Sequence, residues 1–129
     1  MNYYNSTMIK GKNFKQVREE VEAALKEEGF GILTEIDFKA TMKKKLDKEY
    51  LPHLILGACN PGYADKVVSL EPHVSTLLPC NVTVRELENG DVEVSAIDPS
   101  AAMSVVENEE LVQYAEEVNN MLKKAINSL

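Results

Sequence analysis

The sequence predicts one α+β domain, in which an antiparallel sheet of about five strands carries two long helices on one face. Three observations support this fold class. Apolar residues recur at helical spacing in one segment near each end of the 129-residue chain. Shorter segments between them alternate apolar and polar residues, as strands do. Asn89-Gly90 separates two of these segments and is typical of a hairpin turn, so we expect antiparallel neighbours.

The first two elements are predicted to be a strand and an amphipathic helix. Residues 3–9 are rich in β-prone side chains and alternate weakly. Asn13 can cap the following helix, and Gly29 can end it because glycine tolerates the left-handed backbone found there. Four apolar residues of this helix should face the sheet: Val17, Val21, Ala24 and Leu25.

The middle of the chain alternates strands with short helices. A strand over residues 32–36 should lead into a short helix that Asp37 caps. Residues 53–59 are apolar on both faces, which indicates a central strand. Alternation along that strand directs His53 and Cys59 to the same face.

Asn60 and Pro61 are the residue types favoured at the cap and the first position of a helix. We expect this helix to end at Glu71-Pro72. A strand over residues 77–86 should follow and form the hairpin with a strand over residues 92–96.

Asp98-Pro99 ends the last strand and is interpreted as a helix-opening turn rather than a catalytic carboxylate. Asn108 can then cap a long C-terminal helix. The apolar stripe of that helix contains Leu111, Ala115, Val118, Leu122, Ala125, Ile126 and Leu129. Such a stripe predicts that this helix also packs on the sheet.

Composition and charge limit the classes of function. The length fits one domain over residues 1–129, and 44% hydrophobic residues suffice for one core. A net charge of −7 argues against nucleic acid and anionic membranes as partners, since both bind through positive charge. We see no export signal and no apolar run long enough to span a bilayer, so we expect a cytoplasmic protein with reduced thiols.

Four motifs together resemble the domain-of-unknown-function family numbered 302. They are Phe-Gly-Ile-Leu-Thr-Glu-Ile-Asp at 30–37, Leu-Gly-Ala-Cys-Asn-Pro at 56–61, Leu-Leu-Pro-Cys-Asn-Val at 77–82 and Ile-Asp-Pro at 97–99. The resemblance extends from about Tyr4 to the final helix. It implies a single-copy fold similar to that of the TATA-binding protein (β-α-β4-α), often as a dimer, and no established activity. A sheet face bearing Glu35 and Glu93 is unsuited to a DNA minor groove.

Cys59 and Cys80 are the only cysteines, and each precedes an asparagine. Cys59 also precedes a predicted helix start, where the helix dipole favours a thiolate. Four interpretations remain open: inert buried thiols, a reactive thiol or redox pair, metal ligation, and a structural disulfide. A zinc site needs about four ligands, and only His53 and His73 could add to the thiols. We therefore predict no metal site and treat Cys59, Cys80 and His53 as weak candidates.

His53 and the hairpin add two further expectations. His53 is about 20 Å from Cys59 along an extended strand, too far for a direct pair, and is interpreted as a solvated histidine. Thr83 and Arg85 should share one face of their strand, with Glu93 and Ser95 beside them on the next strand. If no helix covers this face, it is a polar platform for a ligand or a second subunit.

The sequence favours a homodimeric module that binds a partner or a small anionic or polar ligand. Helix N–H groups would receive an anion in a site with these candidate residues: Cys59, Asn60, Cys80, Asn81 and Arg85. One alternative is a thiol-dependent or redox enzyme with Cys59 as nucleophile and Cys80 as resolving thiol. Another is a structural dimerisation domain without a ligand. The pattern identifies no cofactor.

Overall fold

The computed structural model describes residues 2–129. Its strands are β1 (Tyr4–Ile9), β2 (Gly31–Asp37), β3 (His53–Cys59), β4 (Cys80–Glu86) and β5 (Val92–Ile97). Its helices are α1 (Phe14–Glu27), α2 (Phe38–Leu46), α3 (Pro61–Leu70), α4 (Pro99–Ala102) and α5 (Glu109–Asn127), with a 3₁₀ helix over Pro72–Leu77. Within the described part of the chain, no helix is both long and apolar enough to cross a bilayer.

The five strands form one sheet in the order β1-β5-β4-β3-β2, with antiparallel pairing throughout. The two long helices, α1 and α5, contact each other and pack on the same face of the sheet. The predicted α+β class is therefore confirmed, as is the arrangement of strand, long helix, four strands and long helix. The detailed likeness to the TATA-binding protein stays a prediction.

The main core lies between this sheet face and the two long helices. The strands contribute alternate residues, so that Val82, Val84 and Val94 are fully buried while their neighbours in sequence are not. The helices contribute Val17, Val21, Leu25, Val118, Leu122, Ala125 and Ile126. A second, smaller cluster joins α3, the 3₁₀ helix and α4 to the start of α5, through Val67, Val74, Met103, Leu111 and Ala115.

One polar contact enters the main core. Asn119 of α5 is buried, and its side-chain oxygen accepts a hydrogen bond of 3.2 Å from Asn5 Nδ2. Asn5 belongs to β1, an edge strand of the sheet. Because an unpaired buried amide is costly, this bond favours one alignment of β1 beneath α5.

Asparagine or aspartate side chains cap all five helices, as the sequence predicts. In each case the side-chain oxygen accepts a hydrogen bond from a backbone N–H two or three residues later. The capping residues are Asn13, Asp37, Asn60, Asp98 and Asn108. Helix starts were therefore readable from local sequence alone.

The strand predicted from residue 77 begins later, at Cys80. The preceding residues form the 3₁₀ helix, in which the hydroxyls of Ser75 and Thr76 donate to backbone carbonyls within the same segment. Pro79 has no N–H to donate to a strand neighbour, so regular pairing starts only after it.

The prediction that Glu35 shares the uncovered face with Glu93 is wrong. The register of β2 against β3 shifts around Leu33, which is left as an extra residue in a β-bulge. Glu35 consequently pairs with Leu56 on the helix-covered face. There its carboxylate accepts a 2.6 Å hydrogen bond from Arg18 of α1.

Gly57 of β3 occupies a crowded position beside this bulge. A Cβ added at Gly57 would lie 2.2 Å from Thr34 Oγ1 and 2.7 Å from Pro79 Cγ. The threonine hydroxyl can rotate away, but the proline ring is rigid. Any larger residue must therefore displace Pro79 and the backbone that carries it, just before β4.

We expect Gly57→Ala to lower the free energy of unfolding by about 2 kcal/mol or more, as overpacking does in dense cores. Gly31→Ala is the matched control, because a Cβ at Gly31 has no atom within 4 Å. Urea unfolding followed by circular dichroism measures both variants. Equal stability of the two would contradict the crowding at Gly57.

Candidate functional site

The sheet face opposite α1 and α5 carries a polar surface at its centre. Strand register places Ser95 of β5 beside Thr83 of β4. It also aligns Glu93 with Arg85, and Arg85 with His53 of β3. Because residues directly opposite on neighbouring strands share a face, these side chains form adjacent rows across three strands.

These side chains line an open depression of about 480 Å³, which we name the sheet-face depression. Its polar lining comes from His53, Asn81, Thr83, Arg85, Glu93 and Ser95, and its apolar lining from Tyr3, Tyr4, Ala96 and Ile97. A volume of this size lies within the range of small-molecule sites. The polar platform expected from the hairpin is present and is not covered by a long helix.

An ion pair forms part of this lining. Arg85 Nη2 donates to Glu93 Oε1 at 2.6 Å, across the β4–β5 ladder. Both side chains reach solvent, so the pair contributes little to stability, on the order of 0–1 kcal/mol. The bond uses one of the five guanidinium donors, and the planar group can offer others to a ligand.

His53, predicted to be solvated, is half-buried and lines the open depression. Its ring lies 4.8 Å from the ring of Phe38, the first residue of α2. Burial, and then the positive charge of Arg85, lower the pKa of His53 below its usual value of 6.5. A neutral imidazole offers one donor and one acceptor to the depression.

The cysteines lie elsewhere, around a cavity of about 30 Å³ between the sheet, α3 and α5, which we name the sulfur cavity. Main-core residues such as Phe30 and Val118 line it, as do members of the smaller cluster such as Val67 and Ala115. The space holds about two water molecules, which is too little for a metabolite.

The cysteines differ in their surroundings. Cys80 is buried, and this burial, followed by the charge of Cys59, raises its pKa to about 11. Cys59 is half-buried, and both thiols are free. Cys80 is paired with Ala58, so strand alternation directs the neighbouring Cys59 side chain to the opposite, open face of the sheet. Side chains on opposite faces are poorly placed for a disulfide, which forms most readily between Cβ atoms about 3.8 Å apart.

Asn60 has a structural role at the start of α3. Its side-chain oxygen accepts a 3.4 Å hydrogen bond from the N–H of Tyr63 and so caps α3. Its amide nitrogen lies against Gly29, where an added Cβ would be 3.0 Å away. The side chain thus occupies one N–H group at the helix start that was expected to receive an anion.

The predicted site residues fall into two groups. Asn81 and Arg85 line the sheet-face depression, whereas Cys59, Asn60 and Cys80 line the sulfur cavity. Among residues 2–129, no three His, Cys, Asp or Glu side chains are grouped to hold a metal ion.

Sequence reasoning missed the aromatic wall of the depression. Tyr4 pairs with Ile97 because β1 lies beside β5 at the sheet edge. The alternation in residues 3–9 indicates a strand but carries no signal for its partner. Met103, which lines the sulfur cavity, was also missed, since a single methionine in a turn has no distinguishing pattern.

Fold and site together define an α+β protein with a five-stranded sheet, in which α1 and α5 cover one face and the other face is open around the depression. Residues 5–129 match the family model described as Domain of unknown function DUF302, and the chain belongs to this family. The crystal structure of an uncharacterized conserved DUF302 protein from Bacillus stearothermophilus is similar, with 24% sequence identity and a TM-score of 0.90. The match covers 98% of each chain, and at this identity it shows the fold alone. No curated protein has a significantly similar sequence.

We expect Arg85→Gln to raise the pKa of His53, because the substitution removes a positive charge that disfavours the imidazolium. An NMR titration of the imidazole ring measures the change. Arg18→Gln is the control, since it removes an equal charge from the helix-covered face. An unchanged pKa of His53 in Arg85→Gln would contradict the assigned contact.

The lowered pKa of His53 also makes the free energy of unfolding depend on pH. The pKa of His53 is lower in the folded chain than in the unfolded chain, so the unfolded chain binds the proton first as the pH falls. The stability that His53 contributes is therefore complete above pH about 6.5 and decreases below it. In Arg85→Gln this decrease should be smaller.

Proposed function

We propose that this protein is a binding module for a small polar ligand with one anionic group, bound in the sheet-face depression. The observation that supports this proposal is the convergence of Arg85, His53 and Thr83 on an open space of about 480 Å³. Small-molecule sites typically combine apolar walls with a few such polar groups.

The charges of the lining favour a particular class of ligand. Arg85 can bind a carboxylate through two parallel N–H groups, a geometry that suits guanidinium. Glu93 lies beside it and repels a multiply charged anion such as phosphate. A zwitterion satisfies both side chains, with its carboxylate on Arg85 and its ammonium on Glu93. Free amino acids are the simplest ligands of this class.

The tyrosines suggest that the ligand also has an apolar part. The rings of Tyr3 and Tyr4 are 5.1 Å apart in an edge-to-face arrangement. Tyr3 is 69% exposed and Tyr4 42%, which is high for large aromatic side chains. Together with Ile97 they offer an apolar wall beside the charged pair. An aromatic amino acid therefore fits the lining better than a small aliphatic one.

This proposal moves the ligand from the two cysteines to the polar rows of β3, β4 and β5 on the open face of the sheet. It retains Asn81 and Arg85 and adds His53, Thr83, Glu93 and Ser95. We keep the cytoplasm as the proposed location, because its reducing conditions suit two free thiols. A thiol-dependent or redox enzyme has less support, since the pKa of Cys80 is about 11.

The experiment is an NMR titration of the ¹⁵N-labelled chain with L-phenylalanine, 3-phenylpropionate and inorganic phosphate. We expect L-phenylalanine to shift the amide signals of Thr83, Arg85 and Ser95, and to bind more tightly than the other two probes. Arg85→Gln should weaken it by about ten- to a hundred-fold, the value of charged hydrogen bonds. Arg18→Gln should have no effect. Signals that stay unchanged with all three probes, or shifts confined to another surface, would contradict the proposal.

A second candidate function is self-association as a homodimer through the sheet edges. Several exposed apolar side chains lie on or beside the two edge strands: Tyr3, Tyr4 and Met8 at β1, and Leu33 and Ile36 at β2. Exposed edges and apolar side chains together favour pairing with another chain.

Analytical ultracentrifugation tests this candidate. The wild-type chain should sediment at twice its mass of 14.4 kDa. Met8→Lys or Ile36→Lys should give the single mass, because a charge on the edge opposes pairing. Leu46→Lys, at an exposed position on α2, is the control and should remain dimeric. A wild-type chain that sediments at the single mass would exclude this function without affecting the ligand proposal.

A further inference from the structure

The second helix carries a concentrated positive charge on an otherwise acidic chain. Five of the 14 lysine and arginine residues fall within positions 39–48, although the chain as a whole has a net charge of −7. No residue of α2 is buried, and all five lysines are exposed. We name this group the cationic surface: Lys39, Lys43, Lys44, Lys45 and Lys48.

The packing of α2 does not depend on these lysines. The helix contacts the sheet through Phe38, whose ring lies 4.8 Å from that of His53. Lysines in the last turn complement the helix dipole, but Lys39 is in the first turn, where the dipole disfavours a cation. It also stands four residues before Lys43, and like charges at this spacing oppose a helix. The number of positive charges therefore exceeds what the fold requires.

Two of these lysines have charges available to a partner. Lys43 is bound by Asp47 at 2.7 Å and by Glu49 at 2.8 Å. Among residues 2–129, by contrast, neither Lys44 nor Lys45 forms an ion pair, although the chain contains 21 aspartate and glutamate residues. Their charges are therefore uncompensated at the surface.

We propose that the cationic surface is the docking site for an acidic segment of another protein, whose carboxylates pair with Lys44 and Lys45. Leu46, the last residue of α2, adjoins them in sequence and is 67% exposed, so it offers an apolar contact beside the charges. A segment rich in Asp and Glu that also contains an apolar residue complements both features.

A protein segment suits this surface better than other polyanions do. The positive charge is confined to the nine-residue helix α2 and the turn after it, whereas the rest of the chain has a large excess of acidic residues. A nucleic acid or an anionic bilayer extends beyond the helix and meets that acidic remainder, which repels it. A short acidic segment contacts α2 alone.

The full chain is titrated against a fluorescein-labelled synthetic peptide in which single Leu residues alternate with pairs of Glu, and binding is followed by fluorescence anisotropy. The control peptide has Gln in place of Glu. We expect the control to bind at least about tenfold more weakly, because its ion pairs are lost. Added salt should weaken the acidic peptide, since exposed charges are screened. In the ¹⁵N-labelled chain, the peptide should shift the amide signals of Lys44, Lys45 and Leu46.

Two matched pairs of adjacent lysines test the location. Lys44→Glu combined with Lys45→Glu should weaken the acidic peptide by about tenfold or more, because two attractions become repulsions. Lys123→Glu combined with Lys124→Glu changes the net charge equally, at an exposed lysine pair of α5, and should have a much smaller effect. Circular dichroism establishes that both variants are folded.

Several outcomes would overturn the proposal. These are the absence of binding, equal affinity for the Glu and Gln peptides, and equal affinity in the two double variants. Tighter binding to single-stranded DNA or to vesicles containing phosphatidylserine would assign the surface to another class of partner. Shifts at Lys44 and Lys45 when the chain alone is concentrated would assign it to a second copy. None of these results affects the sheet-face depression, where L-phenylalanine binding is measured separately.

Discussion

The packing of α1 and α5 on the same face of the sheet determines most of what this protein can do. Burial of Val82, Val84 and Val94 beneath the helices fixes which side of each strand faces inward. Because strand side chains alternate, the polar neighbours Thr83 and Arg85 must then face the other way. No long helix of residues 2–129 covers that second face, so the fold that forms the core also forms the open, polar surface proposed to bind a ligand.

The two sides of the sheet offer different chemistry. The open face combines one cation, one anion and a neutral imidazole with tyrosine rings, and it suits a hydrated polar molecule. The helix-covered side encloses a small cavity where the main core meets the smaller cluster around Val67 and Met103. Space is too limited there for an organic ligand. The candidate ligand site therefore lies on the open face, whereas the sequence analysis centred it on the cysteine motifs.

Local sequence signals predicted more of the fold than of the sites. Helix caps such as Asn60 depend on neighbours two or three residues away, and Asn89-Gly90 correctly aligned Arg85 with Glu93. The β-bulge at Leu33 has no such signal, and it moved Glu35 to the opposite face. Contacts between distant segments have no local signal either. The position of β1 beside β5 does not follow from any short motif. The same holds for the presence of Met103 and Cys80 around one cavity. Since the depression and the cavity are each assembled from distant segments, alternation could identify single residues but not their grouping.

The openness of the second sheet face is the claim on which the ligand site depends. Paramagnetic relaxation by a soluble gadolinium chelate tests it directly, through the methyl signals of adjacent residues on the same strand. We predict a several-fold larger effect at Thr83 than at Val84, because Thr83 faces solvent and Val84 lies beneath the helices. Equal protection of the two methyl groups would mean that the face is covered in solution, and would contradict this account.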